Sequence, residues 1–106
     1  MTVIVEFAVV PLETDEKGLD DTVSVAVKEV KKLCENKGYH WELNSMGTII
    51  EGDSLKEIFS ILEQTIEAAF EIGNSRISTI IKIDDRRDIE GLRGKKKIKT
   101  VLDNIQ

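Results

Sequence analysis

The stretch from Asn44 to Gly52 combines small polar side chains with two glycines inside an otherwise apolar strand. Glycine weakens a strand and often marks a bulge or a close approach of backbone or ligand. The hydroxyls of Ser45 and Thr48 can donate and accept hydrogen bonds, and Glu51 can accept them. Composition leaves two interpretations equally open here: a ligand-binding site, or a tight hairpin that leads into a helix.

The residues best suited to nucleophilic or acid–base catalysis are scarce. The chain has one histidine, His40, and one cysteine, Cys34, and the cysteine is predicted to lie on the buried stripe of a helix. No Cys–His or Ser–His pair is predicted, so a packing role is favoured for both and we expect a protein that is not an enzyme. An enzyme that uses Glu51 or Asp84 as its base is the weaker alternative, since carboxylates alone can transfer protons.

Two charged runs occur in the last quarter of the chain. In the first, Asp84, Asp85 and Asp88 alternate with Arg86 and Arg87, which favours ion pairs among these side chains over a metal site; no cofactor is expected.

The second run is basic and has no interleaved aromatic residue, which favours a solvated helix face over a nucleic-acid contact. A small ligand that carries phosphate is the better rival for this run. Its members are Arg93, Lys95, Lys96, Lys97 and Lys99.

The elements that position these residues follow from periodicity and from start and stop signals. Ser54 and Glu57 form a capping box, and Gly38 is placed to end a helix. We predict strands at 2–10, 39–43, 46–51 and 76–84, helices at about 20–37 and 54–70, and a short terminal helix around 98–105. This order predicts one α+β domain, residues 1–106, of ferredoxin-like βαββαβ type: an antiparallel four-stranded sheet with two helices on one face plus a short C-terminal helix.

The face of the predicted sheet that carries no helices is rich in apolar residues. The first strand is expected to be buried on both sides. The second face of the sheet carries Ile4, Ala8 and Ile80 beside Glu6 and Lys82. Little of this short chain is left to cover that surface, and exposed apolar patches mark partner surfaces. We therefore predict self-association through the open sheet face, aided by the terminal helix.

Charge and hydropathy bound the remaining partners and the compartment. The net charge is −5, which argues against attraction to nucleic acid or to an anionic membrane. The amino terminus has no basic segment, and no apolar stretch approaches the roughly 18 residues that span a membrane. We predict a cytoplasmic protein with no nucleic-acid or membrane partner.

Two segments together resemble the signature of a known family. Met46-Gly47-Thr48-Ile49-Ile50-Glu51-Gly52, followed by Lys82-Ile83-Asp84-Asp85-Arg86-Arg87-Asp88, is similar to the motif pair of the thiamine-binding family of small ferredoxin-like proteins. The resemblance covers nearly the whole chain, through the basic segment at 94–99. It implies a ferredoxin-like fold, dimers that pair into tetramers, binding of thiamine or its hydroxymethylpyrimidine moiety, and no established catalysis.

The resemblance also implies a set of ligand-binding residues. Ser45 and Thr48 would supply hydrogen bonds, Glu51 or Glu6 would accept from an exocyclic amine or balance a thiazolium charge, and Met46 or Trp41 would pack on a ring. Residues 11–18 depart from the family's glycine-rich, serine-containing segment. The predicted site comprises Glu6, Ser45, Met46, Gly47, Thr48, Glu51 and Asp84. The alternative function is an interaction module that assembles without a small-molecule ligand.

Overall fold

The computed structural model describes residues 2–106 and confirms the predicted ferredoxin-like α+β class. Four strands and three helices alternate in the expected order. They are β1 (Thr2–Pro11), α1 (Glu16–Lys37), β2 (His40–Asn44), β3 (Gly47–Gly52), α2 (Leu55–Glu71), β4 (Ile77–Arg86) and α3 (Gly94–Asn104).

The strands form one antiparallel sheet in the order β2-β3-β1-β4. Directly paired residues share a face of the sheet, so the register assigns each side chain to one side. Val5 pairs with Ile50 and with Ile83 on the side that faces α1 and α2. The opposite side, called here the open face, carries the side chains of Ile4, Glu6, Ala8, His40, Glu42, Ile49, Glu51, Ile80, Lys82 and Asp84.

The core lies between the sheet and the two long helices. Val3, Val5 and Ile50 are fully buried there, together with Val30 of α1 and Ile58 of α2. The expectation that β1 is buried on both sides is wrong. Ile4, Glu6 and Ala8 on the open face are only half-buried because α1 and α2 cover the other side alone.

Helix α1 begins at Glu16, whereas the sequence predicted a loop through Gly18 and a start near Asp20. The Asp15 carboxylate accepts a hydrogen bond of 2.8 Å from the Gly18 amide and so caps the helix. Negative side chains are favoured at this end of a helix, so the acidic segment forms the first turn. Gly38 ends α1 as predicted, with a φ of 71° that favours glycine.

Strand β4 lies at the edge of the sheet and is the least covered strand. Helices α1 and α2 pack over β1, β2 and β3. Ile81 and Ile83 therefore stay exposed on the helix side, and Ile80 is 70% exposed on the open face. Both faces of this edge strand carry uncovered apolar side chains.

Helix α3 confirms the predicted terminal helix, but it starts earlier, at Gly94. None of its residues is buried, and its apolar stripe of Ile98, Val101 and Leu102 is exposed, as is the following Ile105. Within residues 2–106, no helix combines the length and the hydropathy that a membrane crossing needs.

Candidate functional site

The β2–β3 hairpin borders a cavity of about 180 Å³ on the helix side of the sheet, called here the hairpin pocket. Its floor is formed by the end of β1, and one wall is formed by the first half of α1. Four apolar side chains around it are left exposed, although such residues are usually buried. They are Leu19, Val23, Leu43 and Met46.

The geometry of the hairpin follows from two local features. The Asn44 side chain accepts a hydrogen bond of 3.0 Å from the Met46 amide, which is the turn that asparagine favours. A Cβ atom at Gly47 would lie 2.8 Å from the carbonyl oxygen of Phe7, so glycine is required for this close approach to β1. These two features place Ser45 at the tip and Thr48 beside the cavity.

Thr48 is the polar group best placed to contact a ligand. Its side chain lies on the helix side, lines the hairpin pocket and is only 5% exposed. Among residues 2–106, neither its hydroxyl nor that of Ser45 has a hydrogen-bond partner. The Thr48 hydroxyl can therefore donate to or accept from a ligand in this apolar cavity.

Glu51 lies on the open face, opposite to Thr48, and is only 2% exposed. One of its carboxylate oxygens accepts from the backbone amide of Arg93, and the other accepts from that of Gly94 at 3.0 Å. Glu51 therefore caps the amino terminus of α3, where a negative charge is favoured. Both of its oxygens are engaged in holding that helix.

Asp84 holds the same helix through side chains. Its Oδ2 accepts from Lys97 at 2.7 Å and from Arg93 at 3.2 Å, which lowers the pKa of Asp84. The Arg93 guanidinium is 5% exposed and also donates to the hydroxyl and the carbonyl of Thr2. We call Glu51, Asp84, Arg93 and Lys97 the α3 anchor.

A second cavity, of about 280 Å³, lies between the open face and the start of α3 and is called here the α3 pocket. Ile4 and Ile49 form its apolar floor, and Leu92 and Ile98 form its apolar upper wall. Its polar lining consists of His40, Glu42, Glu51, Gly94, Lys95 and Lys97.

Glu6 lies apart from both clusters of predicted site residues. It is half-buried on the open face, where the ammonium group of Lys82 lies 3.9 Å from its carboxylate. Its Cγ would lie 3.6 Å from a Cβ at Gly47, so its stem approaches the hairpin from the far side of the sheet. Trp41 faces the helix side and packs against the core.

The Cys34 thiol and the Tyr39 hydroxyl lie in settings that disfavour their ionised forms. Burial raises the pKa of the Cys34 thiol to about 11, which keeps it protonated near neutral pH. Burial, and then a hydrogen bond to Asp53, raises the pKa of Tyr39 to about 12. His40 Nε2 lies 2.7 Å from the Glu42 carboxylate on the open face, a pair that faces the α3 pocket.

The predicted ion pairing within the charged run is confirmed. Arg86 binds Asp88 at 2.7 Å, and Arg87 binds Asp85 at 2.7 Å. These pairs are exposed and therefore contribute little to stability.

The structure thus divides the predicted site residues into two groups. Ser45, Met46, Gly47 and Thr48 meet at the hairpin pocket, whereas Glu51 and Asp84 meet at the α3 anchor on the other side of the sheet. The sequence analysis placed Arg93 on a solvated helix face, which is wrong because its side chain is buried and donates to Thr2 and Asp84. It did not single out the wall residues Leu19 and Val23. Asp15 is a residue that favours helix N-caps, and it could have indicated that α1 starts early. That early start places Leu19 in the helix beside the hairpin. No local pattern signals Arg93, since its partners lie far away along the chain.

Comparisons with known proteins show similarity over almost the whole chain. Residues 5–102 match the family described as thiamine-binding protein. A UPF0045 protein of Methanothermobacter thermautotrophicus is 37% identical over 94% of this chain and 96% of its own length. A hypothetical protein of Methanocaldococcus jannaschii superposes with a TM-score of 0.79 at 28% identity, over 94% of this chain and 95% of that chain.

A third protein shares the fold at lower identity. A Thermotoga maritima protein, proposed in its description to act in thiamine biosynthesis or salvage, has a TM-score of 0.77 at 19% identity over 95% of this chain and 99% of that chain.

Proposed function

The chain belongs to the thiamine-binding protein family, and we propose that it binds thiamine or the hydroxymethylpyrimidine moiety of thiamine without catalysing a reaction on it. The hairpin pocket is the proposed site. One observation carries this assignment: the Thr48 hydroxyl, on a side chain that is 5% exposed, has no partner among residues 2–106 and faces an apolar cavity. Small-molecule sites have this character, with few polar groups in an apolar lining.

The chemistry of an aminopyrimidine fits this lining. Its ring nitrogens accept hydrogen bonds and its exocyclic amine donates them. The hydroxyls of Thr48 and Ser45 can take either role, and the exposed Met46 side chain can fold over the flat ring. The exposed apolar side chains around the mouth of the pocket would then be covered by the ligand.

The size of the cavity favours the pyrimidine moiety as the buried part. Its volume of about 180 Å³ is below the roughly 300 Å³ at which ligand pockets usually begin. The thiazolium ring of thiamine would therefore lie at the exposed mouth. The net charge of −5 favours the approach of this cation.

Glu51 and Asp84 enter this proposal as residues that hold α3, since their carboxylates already have partners. Glu6 is the acidic side chain nearest to the hairpin, but it lies on the open face. The earlier hypothesis that Glu51 or Glu6 contacts the ligand stays a prediction.

Assembly into dimers and tetramers through the open face is part of the proposal. Ile80 and the apolar stripe of α3 are exposed on a single chain, and such patches mark partner surfaces. Sedimentation velocity of the purified protein tests this, because a monomer at micromolar concentration contradicts it. A cytoplasmic carrier, buffer or sensor role rests on the same proposal.

The first experiment is calorimetric titration of refolded protein with thiamine, hydroxymethylpyrimidine and thiamine diphosphate. Thr48→Val keeps the shape of the side chain and removes the hydroxyl, so we expect about tenfold weaker binding of the pyrimidine compounds.

Thr65→Val is the matched control, because Thr65 is buried on α2 and its hydroxyl also has no partner among the described residues. Equal affinities for the two variants and the parent contradict the hairpin site. Assembly without binding of any of the three compounds supports instead the interaction module, which the exposed β4 and α3 surfaces favour.

A further inference from the structure

We propose that Glu16 and Asp20, in the first turns of α1, make the hairpin pocket selective for thiamine that carries no phosphate. Such selectivity rests on the proposed function, because it concerns the form of the vitamin that the same pocket takes. Thiamine brings one positive charge on its thiazolium ring, hydroxymethylpyrimidine brings none, and thiamine diphosphate is a net anion. Negative charge at the open end of the pocket therefore separates the three compounds.

The open end of the hairpin pocket lies beside the amino-terminal half of α1. Leu19 and Val23 in its first turns are 38% and 37% exposed, whereas Ala26 is 2% exposed. Across the cavity, Met46 is exposed at the tip of the hairpin and Thr48 is nearly buried. A pyrimidine ring held at Thr48 would therefore leave the thiazolium ring, one methylene away, towards the first turns of α1.

Helical periodicity places the two carboxylates next to the exposed wall. Residues three apart on a helix are neighbours on its surface, so Glu16 adjoins Leu19 and Asp20 adjoins Val23. Glu16 and Asp20 are themselves exposed. Both carboxylates can thus approach a cation at the open end of the pocket without leaving water.

The orientation of α1 turns Asp20 towards the hairpin. The Thr22 hydroxyl accepts a hydrogen bond of 2.8 Å from the Asn74 side chain, which marks the side of α1 that faces the end of α2. Asp20 lies about 160° around the helix from Thr22, since an α-helix turns about 100° per residue. It shares its side of α1 with Val27, which lines the pocket.

The charges near this end of the pocket leave an excess of negative charge. The lining itself has no charged residue. The carboxylates of Glu16 and Asp20 have no partner among residues 2–106, whereas Lys17 between them is paired with Asp21 at 2.7 Å. Arg76 precedes β4, and β4 and the hairpin lie on opposite sides of β1.

The positive end of the α1 dipole does not reverse this excess. The Asp15 carboxylate caps the Gly18 amide, and the dipole amounts to about half an elementary charge against the two charges of Glu16 and Asp20. The diphosphate group would project from the thiazolium ring into the same region and be repelled. Assembly through the open face would leave this region uncovered, because it lies on the helix side of the sheet.

The test is calorimetric titration with thiamine, hydroxymethylpyrimidine and thiamine diphosphate, each at low and at physiological salt. The double variant Glu16→Gln/Asp20→Asn removes both charges with little change in shape. Its affinity for thiamine should fall about fivefold at low salt, because each exposed charge contributes only a small part of the affinity. Its affinity for hydroxymethylpyrimidine should stay unchanged, and its affinity for thiamine diphosphate should rise. Added salt should reduce the difference between parent and variant.

The matched control is Glu63→Gln/Glu67→Gln, which makes the same change of net charge at exposed positions of α2. None of the three affinities should change in this control. Circular dichroism verifies that both double variants are folded.

An equal ratio of thiamine affinity to hydroxymethylpyrimidine affinity in the parent and in Glu16→Gln/Asp20→Asn overturns the selectivity and leaves the hairpin site standing. Equal effects of the two double variants overturn it as well, because they would assign the preference to net charge. A parent that binds thiamine diphosphate more tightly than thiamine also contradicts it. Absence of binding of all three compounds to the parent overturns the hairpin site together with its selectivity.

Discussion

The hairpin pocket and the α3 pocket lie on opposite sides of one strand, β3, and they are built in different ways. The first takes its shape from neighbours in sequence, through the Asn44 turn and the close approach of Gly47 to β1. The second depends on Glu51 and Arg93, whose contacts join residues 42 and 91 positions apart. Apolar packing and local turn chemistry thus define one site, and long-range polar contacts define the other.

The largest expected effect comes from breaking the α3 anchor. Glu51→Ala leaves the backbone amides of Arg93 and Gly94 without an acceptor at a position that is largely shielded from solvent. We therefore expect the free energy that holds α3 on the sheet to fall by about 2–3 kcal/mol. Helix α3 should detach while the hairpin pocket keeps its affinity for thiamine. Hydrogen exchange of α3 amides measures the first effect, and titration measures the second. Glu63→Ala, at an exposed position of α2, is the control.

A loss of thiamine binding in a folded Glu51→Ala protein would show instead that Glu51 contacts the ligand. That result would remove the distinction between the two pockets, because one residue would serve both.

A substitution at the hairpin should give the converse result. In Gly47→Ala the added Cβ meets the Phe7 carbonyl at 2.8 Å, so we expect a loss of about 1–3 kcal/mol from overpacking. Thiamine binding should fall and exchange in α3 should stay unchanged. Urea denaturation gives the free energy of unfolding, and Ser45→Ala at the exposed tip is the control for this stability measurement alone, since its hydroxyl belongs to the proposed site. Wild-type stability in Gly47→Ala would contradict the close approach.

Acid should loosen the α3 anchor before it affects the hairpin. Hydrogen bonds from Lys97 and then Arg93 lower the pKa of Asp84 below its ordinary 3.8. A group whose pKa is lowered in the folded state contributes stability above its unfolded pKa and loses that contribution as the pH falls through its folded pKa. The protection of α3 amides, corrected for the intrinsic exchange rate at each pH, should therefore fall below about pH 4.

Asp84→Asn is the variant that checks this assignment. Asparagine does not titrate and forms no ion pair with Lys97 or Arg93, so acid cannot break one at this position. Its α3 exchange should be faster than that of the parent at neutral pH and should change less on acidification. An identical pH profile in the two proteins would assign the effect to other carboxylates.

The smallest effect is expected in the loop between β1 and α1, beside the hairpin pocket. Glu13 adopts a φ of 60°, which is costly for a residue with a side chain. Glu13→Gly should stabilise the protein by about 0.5 kcal/mol, since relief of strain exceeds the added freedom of the unfolded chain. Thermal unfolding measures this. Destabilisation would mean that the Glu13 side chain makes a favourable contact of its own.

The same contrast explains how much could be predicted from sequence. Periodicity predicted every element of the fold, since each depends on residues within one or two turns of each other. Strand alternation is also sufficient to place Thr48 and Glu51, three residues apart, on opposite faces of the sheet. The start of α1 was missed because an acidic stretch suits both a loop and a capped first turn.

The role of Glu51 was beyond local reasoning. A glutamate before a helix looks the same whether it faces a ligand or the amides of a segment 42 residues later. The two possibilities differ only in whether the segment before α3 packs against the open face. That packing depends on the hydrogen bonds from the buried Arg93 to Thr2. Both sets of polar residues were therefore predicted as one site, although the sheet separates them.

The attachment of α3 has a thermodynamic consequence. Because α3 buries none of its residues, its release from a single chain exposes little apolar surface. The heat-capacity change and the denaturant dependence of that step should be small, since both scale with the surface exposed. Ionic strength should act on part of the attachment, because the Lys97–Asp84 pair is exposed and is screened by salt, whereas the hydrogen bonds of Glu51 to the amides of Arg93 and Gly94 are screened less. Release of α3 should therefore depend weakly on denaturant and moderately on salt.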